Sequence, residues 1–315
     1  TGDNKKSKIL PYLLLPLSLI LIGVNLIKKT ITKKEKIKKI KTICVGNIYV
    51  GGTGKTSLSL KIHEMLNQKS IKSCFIKKDY SNQIDEQKIL ENKGKLFKSK
   101  RRLNSLMDAV DQGYKVAIFD DGLQDYSIDY DIIFICFNDV NWIGNGFTIP
   151  SGPLRENFKN IKYYKNIFIN GNMENLENIK NQIFKVNPKA KIFVTTYIPL
   201  NLNDFIKKDN YLVFSGIGNH QSFISMLKKN NINILKEIEY PDHYTYSDKD
   251  MNNIITEAEN INCKIITTEK DFYRLNDKYT NKIKFVKSVL QIQNESEFLD
   301  IIPVSYTHLR AHETD

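Results

Sequence analysis

The sequence predicts an α/β protein: a doubly wound, mainly parallel sheet built on a phosphate-binding loop, a second, smaller α/β domain, and an N-terminal hydrophobic helix. Three observations carry this. A short β-type run, Thr42-Ile43-Cys44-Val45, leads into Gly51-Gly52-Thr53-Gly54-Lys55-Thr56, and Leu58, Leu60, Ile62 and Leu66 then repeat at helical spacing. The continuous apolar runs 116–119 and 132–137 have the character of strands buried on both faces. From Asn201 a second alternation begins, with strands expected at 211–214 and 264–267 and helices at 221–227 and 248–259.

In chain order, the N-terminus comes first. Residues 9–27 are apolar, with lysines before them at 5, 6 and 8 and a lysine-dense run after them at 28–41. This stretch approaches the length that crosses a bilayer, about 20 residues. It includes Pro11, Pro16, Gly23 and Asn25, which suit a span or an interfacial helix. The basic excess after residue 27 places the body of the protein on the cytoplasmic side and sets lysines against anionic headgroups. Residues 1–35 are thus read as a membrane segment with basic flanks, 36–205 as the nucleotide domain, 206–303 as the second domain, and 304–315 as a non-native tail.

The whole chain has 315 residues and a formal net charge of +12, so an anionic partner is expected. The lysines concentrate beside the apolar segment instead of interleaving with aromatics along a groove, which argues against nucleic acid. Cys44, Cys74, Cys136 and Cys263 form no Cys-x-x-Cys pair, so neither a zinc site nor a disulfide framework is expected.

The strand, glycine loop and helix in succession make the phosphate site of a P-loop NTPase-like fold. Gly51, Gly52, Thr53 and Gly54 let backbone N–H groups close on phosphates, Lys55 reaches the β and γ oxygens of ATP, and the Thr56 hydroxyl suits Mg²⁺. The strict pattern departs at Tyr49, where a glycine would stand. The loop is close to variant Walker loops, whose signature lysine position is Val50 here. Run 116–119 ends in Asp120-Asp121-Gly122-Leu123-Gln124, two carboxylates at a strand terminus that can divide metal binding from the placement of a water, substrate or lysine.

These blocks, with Gly152-Pro153-Leu154-Arg155-Glu156, Phe214-Ser215-Gly216-Ile217-Gly218-Asn219, Tyr240-Pro241-Asp242-His243-Tyr244 and Thr267-Thr268-Glu269-Lys270-Asp271, resemble the tetraacyldisaccharide 4′-kinase family, the lipid A 4′-kinases of Gram-negative bacteria. The resemblance implies transfer of the γ-phosphoryl group of ATP, with Mg²⁺, to tetraacyldisaccharide 1-phosphate at the cytoplasmic face of the inner membrane. It implies an aspartate and histidine dyad as base, falling on His243 and, in Ile84-Asp85-Glu86, on Asp85. Arg155 is the expected charge stabiliser, with Glu156 orienting it or the magnesium shell. Thr56, Asp120 and Asp121 are the expected metal residues. The family's Ser-Arg-Gly-Tyr motif is replaced by Lys77-Lys78-Asp79-Tyr80, and its histidine after the acidic block by Asp125.

His63 and His220 are expected to be surface or structural residues. The segment 141–147, with two glycines and two aromatic rings, reads either as an acyl-contacting loop or as a plain connection. The rival function is a membrane-associated P-loop ATPase of the variant Walker type without a lipid acceptor.

Overall fold

The structure is a computed structural model that describes residues 3–79, 84–171, 175–205 and 208–302; the 304–315 tail and Tyr80 lie outside the described residues. The helices are α1 (Asp3–Ile31), α2 (Lys55–Gln68), α3 (Ile84–Lys93), α4 (Arg102–Asp111), α5 (Leu176–Val186), α6 (His220–Lys229), α7 (Asp248–Asn260), α8 (Glu269–Phe272), α9 (Asp277–Thr280) and α10 (Glu295–Leu299). The strands are β1 (Lys41–Gly46), β2 (Ser73–Lys78), β3 (Leu96–Ser99), β4 (Val116–Asp120), β5 (Ile132–Asn138), β6 (Asn166–Asn170), β7 (Lys191–Pro199), β8 (Asn210–Ser215), β9 (Asn233–Glu239), β10 (Lys264–Thr268), β11 (Ile283–Val286) and β12 (Ser288–Ile292).

Eight strands form one sheet in the order β12-β7-β6-β5-β1-β4-β2-β3, and four form a second in the order β11-β10-β8-β9. Every pairing is parallel except β12 with β7. The central strands carry continuous apolar runs because both faces of the sheet are covered. Ile43 and Val45 of β1 pack with Leu58, Ile62, Met65 and Leu66 of α2 on one face. Cys44, between them in sequence, packs on the other face with Ile179 and Ile183 of α5. In the small sheet, α6 covers one face through Phe223 and Leu227, and α7 the other through Met251 and Ile254.

One sequence expectation is corrected: residues 206–303 are not all one domain. After β11 the chain returns to the large sheet, where Ser288 stands opposite Pro199 and Ile292 opposite Thr195. Phe298 of α10 is fully buried against the rings of Phe134, Phe168 and Phe193. That aromatic cluster, together with Leu290 and Ile292, draws the segment home. All four cysteines are free, and burial pushes the Cys74 and Cys136 thiols up to about 12, so they act as core residues.

α1 touches the body along one stripe. Pro11, Leu14, Leu15, Ser18, Ile22 and Lys29 are wholly or partly covered, at the three- and four-residue spacing of a single helix face. Ser18 donates to the Thr148 carbonyl (2.9 Å) or to Ser151 Oγ (2.8 Å) and accepts from the Ser151 N–H (3.1 Å). Tyr12 meets Phe147 edge-on, and the Lys29 ammonium lies over Tyr126 and Tyr163. Of segment 141–147, Phe147 meets α1. Trp142 turns inward, packing on Phe137 and Phe158 and donating to Gln182.

Candidate active site

The loop between β1 and α2 is shaped by glycine and held by asparagine. Gly51 and Gly54 have φ of +124° and +84°, the second starting α2 without a side-chain cap. Uncapped first-turn N–H groups above Lys55 are what an anionic phosphate requires. Asn47 Nδ2 donates to Thr53 Oγ1 (3.0 Å), Asn138 Nδ2 to the Gly52 carbonyl (3.3 Å), and Gln124 Nε2 to the Asn47 carbonyl (3.1 Å). The Pro-Leu-Arg segment straps the outer side: Val50 N donates to the Pro153 carbonyl and Arg155 N to the Ile48 carbonyl. A cavity of about 190 Å³ beside the loop is lined by Asn170, Gly171, Thr196, Tyr197, Ser222 and Met226.

The two sheets meet at this loop. A methyl group built on Gly52 would lie 2.8 Å from Gly218 Cα, and one on Gly218 would lie 2.3 Å from Gly52 N. Backbone faces backbone there, so only glycine fits at either position.

Behind the loop, Asp120 and Asp121 face different partners. Asp120 is fully buried and accepts from Thr56 Oγ1 (3.3 Å), Ser59 Oγ (3.2 Å) and Lys77 Nζ (2.6 Å). Asp121, at φ +55°, accepts from Arg155 Nη1 at 3.1 Å and lies 3.9 Å from Lys55 Nζ. Burial works to raise Asp121, but Lys55, Arg155 and Lys77 hold its carboxyl below the ordinary range. Arg155 also donates to Gln124 Oε1 (2.9 Å).

Glu156 does not orient Arg155, as the sequence reading expected. Its carboxylate turns the other way and accepts from Asn160 Nδ2 and the Tyr164 hydroxyl. Asp121 and Gln124 hold the arginine instead.

The Lys77 ammonium is buried and bridges Asp120 to Glu86 Oε2, 2.5 Å away. Burial alone would lower its affinity for a proton, yet the two carboxylates raise it. For Glu86 the balance runs the same way: burial favours the neutral acid, but Lys77, Lys270 and Lys55 hold the carboxyl at about 2. The other oxygen of Glu86 lies 3.9 Å from His243 Nε2. The Asp85 side chain lies outside the described residues; among those described, Glu86 and Asp242 each place a carboxylate oxygen 3.9 Å from His243 Nε2.

His243 sits at φ +60° in a turn closed by its N–H to the Gly216 carbonyl. Arg274 Nη2 faces its Nδ1 at 3.4 Å, while Arg274 Nη1 donates to the Gly216 carbonyl and to Asp271. A guanidinium only donates, so this contact suits a ring with Nδ1 unprotonated, whose Nε2 faces Glu86 and Asp242. Asp271, fully buried, accepts from Gly216 N, Tyr246 OH and Thr268 Oγ1, so the Thr-Thr-Glu-Lys-Asp block holds the histidine turn in place.

The remaining histidines are structural. His63 pairs with Ser73 and Asn67, His220 pairs with Ser215, and burial lowers both. Asp125 faces Arg102 at 3.5 Å, so the residue replacing the family's histidine keeps a polar partner.

Lys77, Glu86 and Arg274 received no role from the sequence. For Lys77 a signal was present: an ammonium at the end of an apolar run, Cys74-Phe75-Ile76-Lys77, in a chain that also ends a buried strand with two aspartates. Asn138 and Asn170 carry a similar signal, each being the last residue of a buried strand.

The family described as tetraacyldisaccharide-1-P 4′-kinase matches residues 10–304. A tetraacyldisaccharide 4′-kinase of Pelagibacter ubique is 55% identical over 293 residues, 93% of each chain. One of Rickettsia typhi is 31% identical over 309 residues, 92% of this chain and 93% of the relative. Among solved structures, the "apo" form of LpxK from Aquifex aeolicus in complex with ATP superposes with a TM-score of 0.69 at 22% identity, covering 93% of this chain and 98% of that one.

Proposed function

The chain belongs to the tetraacyldisaccharide-1-P 4′-kinase family, and from that premise we propose that it transfers the γ-phosphoryl group of ATP to the 4′-hydroxyl of tetraacyldisaccharide 1-phosphate, giving the 1,4′-bisphosphate lipid IVA of lipid A biosynthesis. One observation carries the reading beyond a phosphate loop. Lys55 faces Asp121, and the adjacent Asp120 is bridged by Lys77 to Glu86, which lies 3.9 Å from His243, a base candidate supplied by the other sheet. An ATPase without an acceptor has no use for a histidine posted across the cleft from its phosphate loop.

In this reading the glycine loop and Lys55 hold the β and γ phosphates, and the nucleoside occupies the cavity beside Asn170 and Tyr197. His243 Nδ1 takes the proton of the attacking 4′-hydroxyl, displacing the long Arg274 contact. Glu86 favours the imidazolium that forms. The new bond joins the sugar oxygen to Pγ, the bond from Pγ to the β–γ bridging oxygen breaks, and ADP leaves. Arg155 and Lys55 face the charge that spreads over the equatorial oxygens.

The donor set fits Mg²⁺: Thr56 Oγ1 and Asp120 are hard oxygen ligands 3.3 Å apart, with Asp121 adjacent. Among the described residues no group of three His, Cys, Asp or Glu side chains gathers around a metal, as expected for an ion that is held largely by phosphates and water. When bound, it would neutralise phosphate charge. The site lies at the cytoplasmic face of the inner membrane, where α1 meets lipid and ATP is available.

The test is transfer of labelled γ-phosphate to tetraacyldisaccharide 1-phosphate in detergent micelles, with Lys55→Ala as the blank. Labelled lipid that disappears with EDTA is expected. Labelled inorganic phosphate without labelled lipid would overturn the proposal in favour of the ATPase.

A further inference from the structure

We infer that Lys77 is a positioning residue for phosphoryl transfer: its ammonium is a resident cation that holds the Glu86 carboxylate toward His243 and fills the point between Glu86 and Asp120 where a divalent ion would otherwise bind. The inference rests on the kinase reading above and gives a part in it to a residue in whose place the family's Ser-Arg-Gly-Tyr motif has serine. Side chains alternate along β2. Ser73 and Phe75 meet His63 of α2, and Lys77, two residues further on, keeps to the same face. Its ammonium thus arrives at the carboxyl end of the strand, 2.6 Å from Asp120 Oδ2 and 2.5 Å from Glu86 Oε2. A serine hydroxyl, held one bond from its β-carbon, could not bridge the two. The Lys77 side chain is 1% exposed, so it acts through these neighbours and not on nucleotide or acceptor.

Stability alone is a poor reason for such a bridge, because apolar residues of equal volume often fill a buried site as well as an ion pair does. Both carboxylates have a second task. Glu86 presents its other oxygen to His243, and Asp120 holds the hydroxyls of Thr56 and Ser59. Lys55 and Arg155 face Asp121, which leaves Lys77 as the one lysine or arginine among the described residues within 4.0 Å of Asp120 or Glu86. Two carboxylate oxygens converging on one point, with the Thr56 hydroxyl 3.3 Å from one of them, form a set of hard oxygen donors suited to Mg²⁺ or Mn²⁺. The ammonium occupies that point. Glu86 is therefore fixed before any metal binds, and the divalent ion is left to arrive with the nucleotide's phosphates.

The experiment uses the full chain in detergent. Lys77→Ser removes the ammonium and leaves room between the carboxylates. Without nucleotide, its Mn²⁺ affinity, read by electron paramagnetic resonance, should exceed that of the unaltered chain at least about tenfold, and adding Glu86→Gln should bring it back to within about threefold. Should Lys77→Ser not fold alone, Mn²⁺ is expected to restore its circular dichroism. Lys77→Met fills the space with apolar atoms and admits no ion. In the transfer assay it should lose about 10–10²-fold in kcat per nucleotide-binding site while ATP affinity stays within about threefold. Glu86→Gln in the same chain should cost less than about threefold more, because both changes act on one carboxylate. Unchanged Mn²⁺ affinity in Lys77→Ser, a gain that survives Glu86→Gln, or a chain that Mn²⁺ does not refold would overturn the inference. So would near-normal kcat in Lys77→Met, or losses that multiply in the double variant. The Mn²⁺ readout needs no turnover, so failure of the kinase reading would show separately, as an unaltered chain that labels no lipid.

Discussion

Replacing Lys77 with methionine keeps the volume and removes the one cation that joins Asp120 to Glu86. The gap between the usual Glu86 value of 4.5 and the about 2 it has in the fold, to which Lys270 and Lys55 contribute beside Lys77 and which burial opposes, corresponds to about 3 kcal/mol at pH 7. Breaking a buried ion pair from one side costs about 3–5 kcal/mol by general experience, so the two figures agree. The sign follows from linkage. In the unaltered protein the folded value is depressed, so the stabilisation is present above pH 4.5 and fades as pH falls toward 2. In Lys77→Met the stranded carboxylates bind protons more tightly folded than unfolded, so the variant's penalty grows with pH and is relieved in acid. Urea unfolding in detergent, followed through the single tryptophan, Trp142, should show a deficit of about 3–5 kcal/mol at pH 7 and a clearly smaller one at pH 4. A deficit under about 1 kcal/mol, the value of an exposed pair, or one equal at both pH values, would refute the bridge as a buried, charged unit.

Three further outcomes are expected. His243→Ala should lose about 10²–10⁴-fold in kcat while still binding ATP, as measured by nucleotide titration, because a general base is removed and the phosphate loop is untouched. Glu156→Gln should stay within about threefold of full turnover in the transfer assay, since its partners are Asn160 and Tyr164 and a neutral amide costs such surface-type contacts little. Gly218→Ala places a methyl group 2.3 Å from Gly52 N, so it should lower ATP affinity at least tenfold in the same titration, while circular dichroism shows the helices intact.

The sequence made the middle of the large sheet plain because β1, β4 and β5 carry the continuous apolar runs 43–45, 116–119 and 132–137. By contrast, β9 lies at a sheet edge with only Ile234 and Ile238 half-covered and its other residues exposed, and nothing in Asn233–Glu239 separates it from a loop. β12 went unread because its partner, β7, lies some 90 positions earlier and only that pairing makes it a strand. In the site, the loop glycines, Lys55, Asp120, Asp121 and Arg155 were legible, since each belongs to a local pattern. Glu86 and Arg274 were not, because what matters about them is relational. Glu86 matters by its reach to Lys77 and toward His243, and Arg274 by its distance from a histidine thirty-one positions away. Glu156 does not hold Arg155 for the converse reason: neighbouring residues in a loop point to opposite sides.

The antiparallel pairing of β7 with β12 makes the small sheet an insertion in the chain. The chain leaves the large sheet at Pro199 and re-enters at Ser288, and these two residues are direct register partners. Both ends of the excursion are therefore already side by side, and the large sheet keeps all eight strands and its aromatic cluster whatever lies between. A tight turn could replace the whole inserted unit without moving a strand. The glycine loop, the aspartate pair and Arg155 thus belong to the frame, while the inserted unit brings His243 together with Ser222 and Met226 of the cavity wall, so the base candidate reaches the loop only through that excursion.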